Sequence, residues 1–492
     1  METIKKKIIV IGSGYSSLAA SCYLAQAGYK VLVLEKNIEL GGRARQFTKQ
    51  GFTFDIGPTF YWMPDVFESF FADFNKKPSD YYHLDRLNPA YQVYFGVEDS
   101  LIIADNLEEI KKTFESIEQG SAAQLQGFID DAEINYNIAI KDLVYKPGIS
   151  PLELVTAKTV TKIHHFISTI RKEVRKKMKN PKLIKVLEFP VLFLGAKPDN
   201  TPSFYNFMNY ADFKLGTWHP KGGMFRVTQG MIDLAKELGV EFVADCPITS
   251  INMDNKNVSS VSTPKGNFTC DILLSGADYH HTETLLPAEF RQYSENYWNG
   301  KVFAPSAMLF YVGFDKKLEN LAHHTMFFDT DFDTHAESIY DTKTYPNNPL
   351  FYASFPSMTD DSVAPKGKEA GIFLIPLAPD LEDTPQIREQ YFNILLDRVE
   401  KLTNKTVRDS ILFHESFCVN DFKEQYNSYK GNAYGLANTL LQTHFLRPKI
   451  KSKKVKNLYF TGQLTVPGPG VPPSLISGKI VSTMILSDFI AN

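Results

Sequence analysis

Three groups of residues in this chain have types and spacing that point to chemistry: Gly12-Ser13-Gly14, Glu35, and Gly41-Gly42-Arg43. An apolar run, Ile8 to Ile11, leads into the first glycine pair. Gly12 permits a tight turn after a strand, and Gly14 lets the backbone come close to a pyrophosphate. A helix expected over residues 16–27 aims its amide N–H groups and positive dipole end at those phosphates. Gly28 stops that helix, and residues 30–34 form the next strand. Glu35 then falls about twenty residues past the glycine turn, where a carboxylate accepts hydrogen bonds from ribose hydroxyls. It would repel a 2′-phosphate, which argues against NADP. The third glycine of the dinucleotide fingerprint is replaced by Ser17, which is small enough for close helix–strand packing. Gly41-Gly42-Arg43 shifts the reading from a nicotinamide cofactor towards a flavin.

Glycine chemistry returns near the C-terminus. Residues 457–463 read as a strand ending in a turn, followed by the loop Val466-Pro-Gly468-Pro-Gly470-Val471-Pro-Pro473. A helix is expected from Ser474, with Ser474 as its cap and Gly478 inside it. Such a helix end can stabilise negative charge on a flavin ring. A further glycine passage, Pro220-Lys221-Gly222-Gly223-Met224, precedes an expected helix at 227–238 and a strand at 241–244.

Between these blocks, residues 107–117, 121–140 and 386–403 read as helices, and 156–194 as helix-rich. Strands are expected at 271–275, 306–314, 350–355 and 371–376. A hairpin spans 248–261, turning at Asn255-Lys256-Asn257. The expected class is α/β: a Rossmann-like FAD-binding domain with a mixed-sheet plus helical substrate domain. Residues 1–75, 215–290 and 421–492 would form the first, and 76–214 and 291–420 the second, which would also meet a membrane.

Composition sets limits on partners. The chain has 492 residues and a formal charge of −3, so its overall charge gives no reason to bind nucleic acid. Its four cysteines, Cys22, Cys246, Cys270 and Cys418, lie far apart and include no C-x-x-C pair. They are expected to be reduced thiols in a cytosolic setting. No ligand spacing suggests a metal. No secretory signal is read, and no apolar stretch reaches the roughly 18 residues of a membrane span. A cytoplasmic, soluble or peripheral protein is expected.

The end blocks resemble the bacterial phytoene desaturases (carotenoid desaturases), within the flavin amine-oxidase-like superfamily. The N-terminal resemblance rests on Gly12-Ser-Gly14, Glu35, Gly41-Gly42-Arg43 and Phe54-Asp55-x-Gly57-Pro58. The C-terminal resemblance rests on Leu458-Tyr-Phe-Thr-Gly462 and Pro467-Gly-Pro-Gly470-Val-Pro472. It implies an FAD enzyme that inserts C=C bonds into C40 polyenes. Gly12, Gly14, Glu35, Gly42 and Arg43 would hold the ADP and pyrophosphate. Gly57 and Pro58 would lie near the isoalloxazine, with Gly462 and Val471 on its other side. Tyr15, Ser16, Lys36, Gly41, Gln463, Gly470 and Pro472 complete the expected contacts. Gln463 and Val466-Pro467-Gly468 depart from the family's usual last block, which bears on substrate identity and on the ribityl contact.

Desaturation of a CH2–CH2 unit needs a hydride acceptor, which flavin N5 supplies. The catalytic residues stay unassigned. His164, His165, His219, His280, His281, His323, His324 and Asp278 are all conceivable bases. Residues 158–187 carry a separate signal. Lys158, Lys162, Arg171, Lys172, Arg175, Lys176, Lys177, Lys179, Lys182 and Lys185 face only Glu173 there. Ile163, Phe166, Ile167, Ile170 and Val174 recur at spacings of three and four, as in a basic amphipathic helix on an anionic membrane. The substrate would be phytoene or a hydroxylated carotenoid such as that of a 1-hydroxycarotenoid 3,4-desaturase, and the electron acceptor oxygen or a quinone. The alternatives are a carotenoid isomerase, a flavin amine oxidase-like enzyme and a non-catalytic carotenoid- or flavin-binding protein.

Overall fold

The computed structural model describes residues 6–156, 159, 164–165, 168–194 and 197–490. Its first sheet is wholly parallel and has five strands. Their order is Leu458–Phe460, Ile272–Ser275, Lys7–Ile11, Lys30–Leu34 and Glu241–Val243. A parallel sheet of this kind is buried on both faces, so its strands read as continuous apolar runs. Ile8 and Val10 point into one core with the helices Tyr15–Gln26 and Val471–Ile490. Ile9 and Ile11 point into the opposite core with Trp298, Phe303 and Leu458. The two helices approach so closely that a Cβ on Gly478 would lie 2.6 Å from the Ser16 carbonyl oxygen. Ser17 is accommodated in the same way, because a Cβ on Gly276 would lie on its Oγ.

The second sheet is mixed and has seven strands. Their order is Ile411–Phe417, Ser306–Phe314, Glu369–Leu377, Phe351–Ser354, His324–Phe327, Tyr91–Gly96 and Asp99–Ile103. All pairs are antiparallel except His324–Phe327 with Tyr91–Gly96. The strand Ser306–Phe314 is buried along its whole length. The helix Pro385–Thr403 packs its Phe392, Leu395, Leu396 and Val399 on this sheet.

Two expectations are corrected. The basic tract is not one amphipathic helix. Lys158, Lys162, Ile163, Phe166 and Ile167 lie outside the described residues. The remainder forms two short helices, Ile170–Lys177 and Pro181–Glu188, broken at Met178 to Asn180. Ile170 and Val174 are fully buried in the main core, so the apolar stripe faces inward. Several of the cations are matched by acids: Arg171 by Glu188, Asp199 and Asp333, Arg175 by Glu188, and Lys182 by Asp99. Second, the C-terminal helix begins at Val471, and Ser474 lies inside it, donating to the Gly470 carbonyl. Its first turn contains Pro472 and Pro473, which have no N–H, so it offers fewer donors than expected. The hairpin 91–103 and the strands His324–Phe327 and Ile411–Phe417 were not among the expected elements. Among the described residues, no helix is long and apolar enough to cross a membrane.

Candidate active site

The first strand turns at Gly12, whose φ of +84° is left-handed, into the helix Tyr15–Gln26. Gly14 caps that helix without a side-chain hydrogen bond, which leaves the first-turn amides free for a ligand. Gly42 (φ +57°) packs against this turn; a Cβ there would sit 3.1 Å from Gly14 Cα. Glu35 ties the two glycine turns together. Its Oε2 accepts from Ser13 N (2.9 Å) and Ser13 Oγ (2.7 Å), and Ser13 Oγ accepts from Gly41 N (2.9 Å). Its Oε1 accepts from Asn37 N and Nδ2. Glu35 is therefore a brace for the turn as well as a cavity-lining acid. Ser13 was missed as a site residue, because a hydroxyl between two glycines carries no signal of its own.

Arg43 tests whether a phosphate-bearing flavin fits. Its side chain is half-buried, and desolvation lowers its pKa. Nη2 donates to Ser428 Oγ (3.0 Å), and the group lies over the Tyr426 ring. Its Nε has no partner among the described residues. A half-buried cation with an unused donor beside free helix amides suits an anionic group. The side-chain-free cradle of Gly12, Gly14 and Gly42 leaves room for one.

The passage 220–224 now has a role. The helix Phe225–Glu237 directs its first amides at Asp55, which accepts from Met224 N (2.7 Å) and Phe225 N (3.0 Å). Burial pushes the Asp55 carboxyl up to about 6, against the pull of these hydrogen bonds. This anchor fixes the chain that continues through Gly57 and Pro58. On the far side, Ser477 Oγ accepts from Gly462 N (3.0 Å), and the Gln463 side chain reaches Asn432 (3.3 Å).

One cavity of about 830 Å³ is lined by Gly12, Gly14, Tyr15, Ser16, Glu35, Lys36, Gly41, Gly42, Arg43, Gly57, Pro58, Gly462, Gln463, Gly470, Val471 and Pro472. Every residue expected to touch the cofactor thus faces the same space. The cavity continues into an apolar chamber lined by Trp62, Phe207, Leu309, Met326, Phe328 and Leu374, among others. Its wall extends to Leu154, Thr443 and His444.

The eight conceivable bases separate. His164 is exposed, and His165 is held by Ser203. His280 pairs with Glu295. His281 lines the cavity and bonds Asn427, and burial lowers it to about 4. Asp278 also lines it, but caps a short helix and accepts from Tyr429 N. His219, His323 and His324 lie together below the chamber wall.

Residues 17–486 match the family described as flavin containing amine oxidoreductase. The chain is 40% identical over 488 residues to the carotenoid 3,4-desaturase of Haloarcula japonica, covering 98% of each. It is 30% identical to the 4,4′-diapophytoene desaturase (4,4′-diaponeurosporene-forming) of Staphylococcus haemolyticus, covering 98% of this chain and 99% of that one. Among solved structures, an oxidoreductase from Methanosarcina mazei superposes with a TM-score of 0.66 at 14% identity, covering 97% of this chain and 100% of that one. Putrescine oxidase bound to putrescine gives 0.61 at 11%, covering 98% and 99%. These two likenesses concern the fold alone.

Proposed function

This chain belongs to the flavin-containing amine oxidoreductases and, within them, to the carotenoid desaturases; from that premise we propose that it is an FAD-dependent enzyme inserting C=C bonds into a C40 carotenoid. The observation that carries this reading is the single cavity. One end is a glycine-and-arginine cradle, and the other is an apolar chamber suited to a polyene. Phytoene and a hydroxylated carotenoid are the two substrates considered.

Bound FAD supplies the hydride acceptor that side chains cannot. In this reading Gly12, Gly14 and Gly42 give the pyrophosphate close backbone approach, and Arg43 neutralises its charge. Glu35 holds Ser13 and borders the ribose. Gly57, Pro58, Gly462, Gln463, Gly470, Val471 and Pro472 bracket the ring, while Tyr15, Ser16, Lys36 and Gly41 complete the wall. Residues 1–75, 215–290 and 421–492 serve the cofactor, and 76–214 and 291–420 the substrate. The apolar chamber excludes water from the reacting carbons.

An insoluble substrate has to be drawn from lipid. The apolar stripe of the basic helices faces the core, so the apolar contact with lipid falls to the chamber's margin. Ile149, Leu152 and Val155 are exposed beside the cavity-lining Leu154, and Leu441 is exposed near the cavity-lining His444. His444 Nε2 lies 3.4 Å from Glu153 Oε2, which brings the two loops side by side. Lys146 is exposed on the same margin. The protein accordingly sits peripherally on the cytoplasmic face of a membrane and passes electrons to oxygen or a quinone.

The test is product mass. Protein loaded with FAD and given carotenoid in liposomes should yield a product lighter by two hydrogens. A product of unchanged mass would make it an isomerase.

A further inference from the structure

Beside the Gly57–Pro58 turn, the apolar chamber holds a polar spot. Thr59 and Tyr352 both line the cavity, and their hydroxyl oxygens lie 2.8 Å apart. Tyr352 stands on the strand Phe351–Ser354, next to the strand His324–Phe327. That pairing places Tyr352 Oη 2.6 Å from His324 Nδ1. The His324 ring is fully buried and stacks on Phe60 with centroids 4.0 Å apart. Its Nε2 has no partner among the described residues.

A line of imidazoles continues behind it. The His323 ring lies 4.4 Å from His324, and the His219 ring 4.8 Å from His323. His219 Nε2 is 3.0 Å from Asp360 Oδ2. Burial opposes ionisation of Asp360, but hydrogen bonds from His219, Gly222 N and Ser362 outweigh it and hold the carboxyl well below its usual range. Burial likewise holds His324 and His323 below the usual imidazole range, so both stand neutral near pH 7. The titratable groups facing His324 are Tyr352, His323 and His219. Tyr352 is bonded to His324, His323 Nδ1 lies 2.7 Å from Thr359 Oγ1, and His219 is bonded to Asp360, so the three imidazoles touch as rings. A phenol bonded to a buried neutral imidazole can accept a proton at its oxygen while passing its own to the ring.

We propose that Tyr352, backed by His324, takes the proton that the substrate loses in desaturation. The proposal rests on the desaturase reading above. One hydrogen leaves carbon with its electron pair to the flavin. The second leaves the neighbouring carbon as a proton, and its C–H electron pair becomes the new π bond. Tyr352 Oη receives that proton while its own hydroxyl proton passes to His324 Nδ1. The result is a neutral tyrosine and an imidazolium at His324. Tyr352 is the catalytic residue, and His324, acting through it, is a positioning residue.

The test uses FAD-loaded wild type, Tyr352→Phe and His324→Gln, each mixed anaerobically with carotenoid in liposomes. Flavin bleaching gives the rate, and quenching of flavin emission gives the carotenoid Kd. Both variants should bind flavin and carotenoid as wild type does, which also reports correct folding. Their bleaching should slow by about 100-fold or more. Wild-type bleaching should slow in D2O, and that solvent effect should vanish in Tyr352→Phe. A Tyr352→Phe protein that bleaches at the wild-type rate overturns the proposal. So does one whose loss of rate is matched by loss of carotenoid affinity, because the hydroxyl would then only hold substrate. If wild type binds the carotenoid and its flavin stays oxidised, the desaturase reading itself fails and the proton role with it.

Discussion

The two ends of the cavity are built from different materials. At the glycine cradle the wall is largely backbone: the turn at Gly12, the contact of Gly42 with Gly14, and the free amides of the first helix. At the apolar chamber the wall is side chain, contributed by Met326, Leu309, Leu374 and others on the seven-stranded sheet and by Trp62, Phe207 and Phe328 around it. A backbone wall demands particular residues at particular positions, because a single Cβ closes it. A side-chain wall demands volume and apolarity, which many residue combinations satisfy. A wall of the first kind selects by close backbone approach, and one of the second kind by shape.

This contrast can be broken or sharpened by substitution. The largest effect is expected for Glu35→Arg. It removes the acceptor of Ser13 and Asn37 and places a cation at the turn, so purified protein should be colourless. A yellow variant with full flavin absorbance would contradict the role of the brace. Ala336→Trp should do the reverse. Ala336 lines the chamber, and an indole there fills space the polyene needs. Flavin content should stay at the wild-type level while carotenoid binding is lost. If both fall together, the two ends are not separable. Arg43→Ala should weaken FAD by about 10- to 100-fold, the loss of one charged hydrogen-bonding group at roughly 1.5–3 kcal/mol. Equilibrium titration of the apoprotein reads this directly. The smallest effect is expected for the double change Leu152→Glu and Leu441→Glu at the margin. Liposome binding should fall several-fold by co-sedimentation, with flavin affinity untouched.

Legibility in the sequence followed the same division. The residues of the cradle could be read from glycine spacing and from one acid, because backbone geometry leaves so few alternatives. The parallel strands at 7–11, 30–34 and 272–275 were readable as apolar runs buried on both faces. What escaped were partners distant in sequence. Ser13 gains meaning only from Glu35 and Gly41, and Asp55 only from a helix that begins 170 residues later. The hairpin 91–103 escaped because its strand Tyr91–Gly96 is largely buried, without polar alternation on both sides. The tract 158–187 misled in the opposite direction. Its 3.6-residue periodicity is genuine where Ile170 and Val174 recur, but periodicity marks a buried face without saying what buries it. Here the protein core does, and acids such as Glu188 and Asp333 take up the charge. Tyr352 and His324 could not be paired from sequence, since only the register of two strands brings them together.

The most direct measurement is an anaerobic titration of the FAD-loaded protein with liposome-held carotenoid, followed by visible absorption. The account predicts that the flavin bands bleach in step with the appearance of polyene bands at longer wavelength, one reduced flavin per new double bond. Carotenoid that binds while the flavin stays yellow and the polyene spectrum stays unchanged would contradict it.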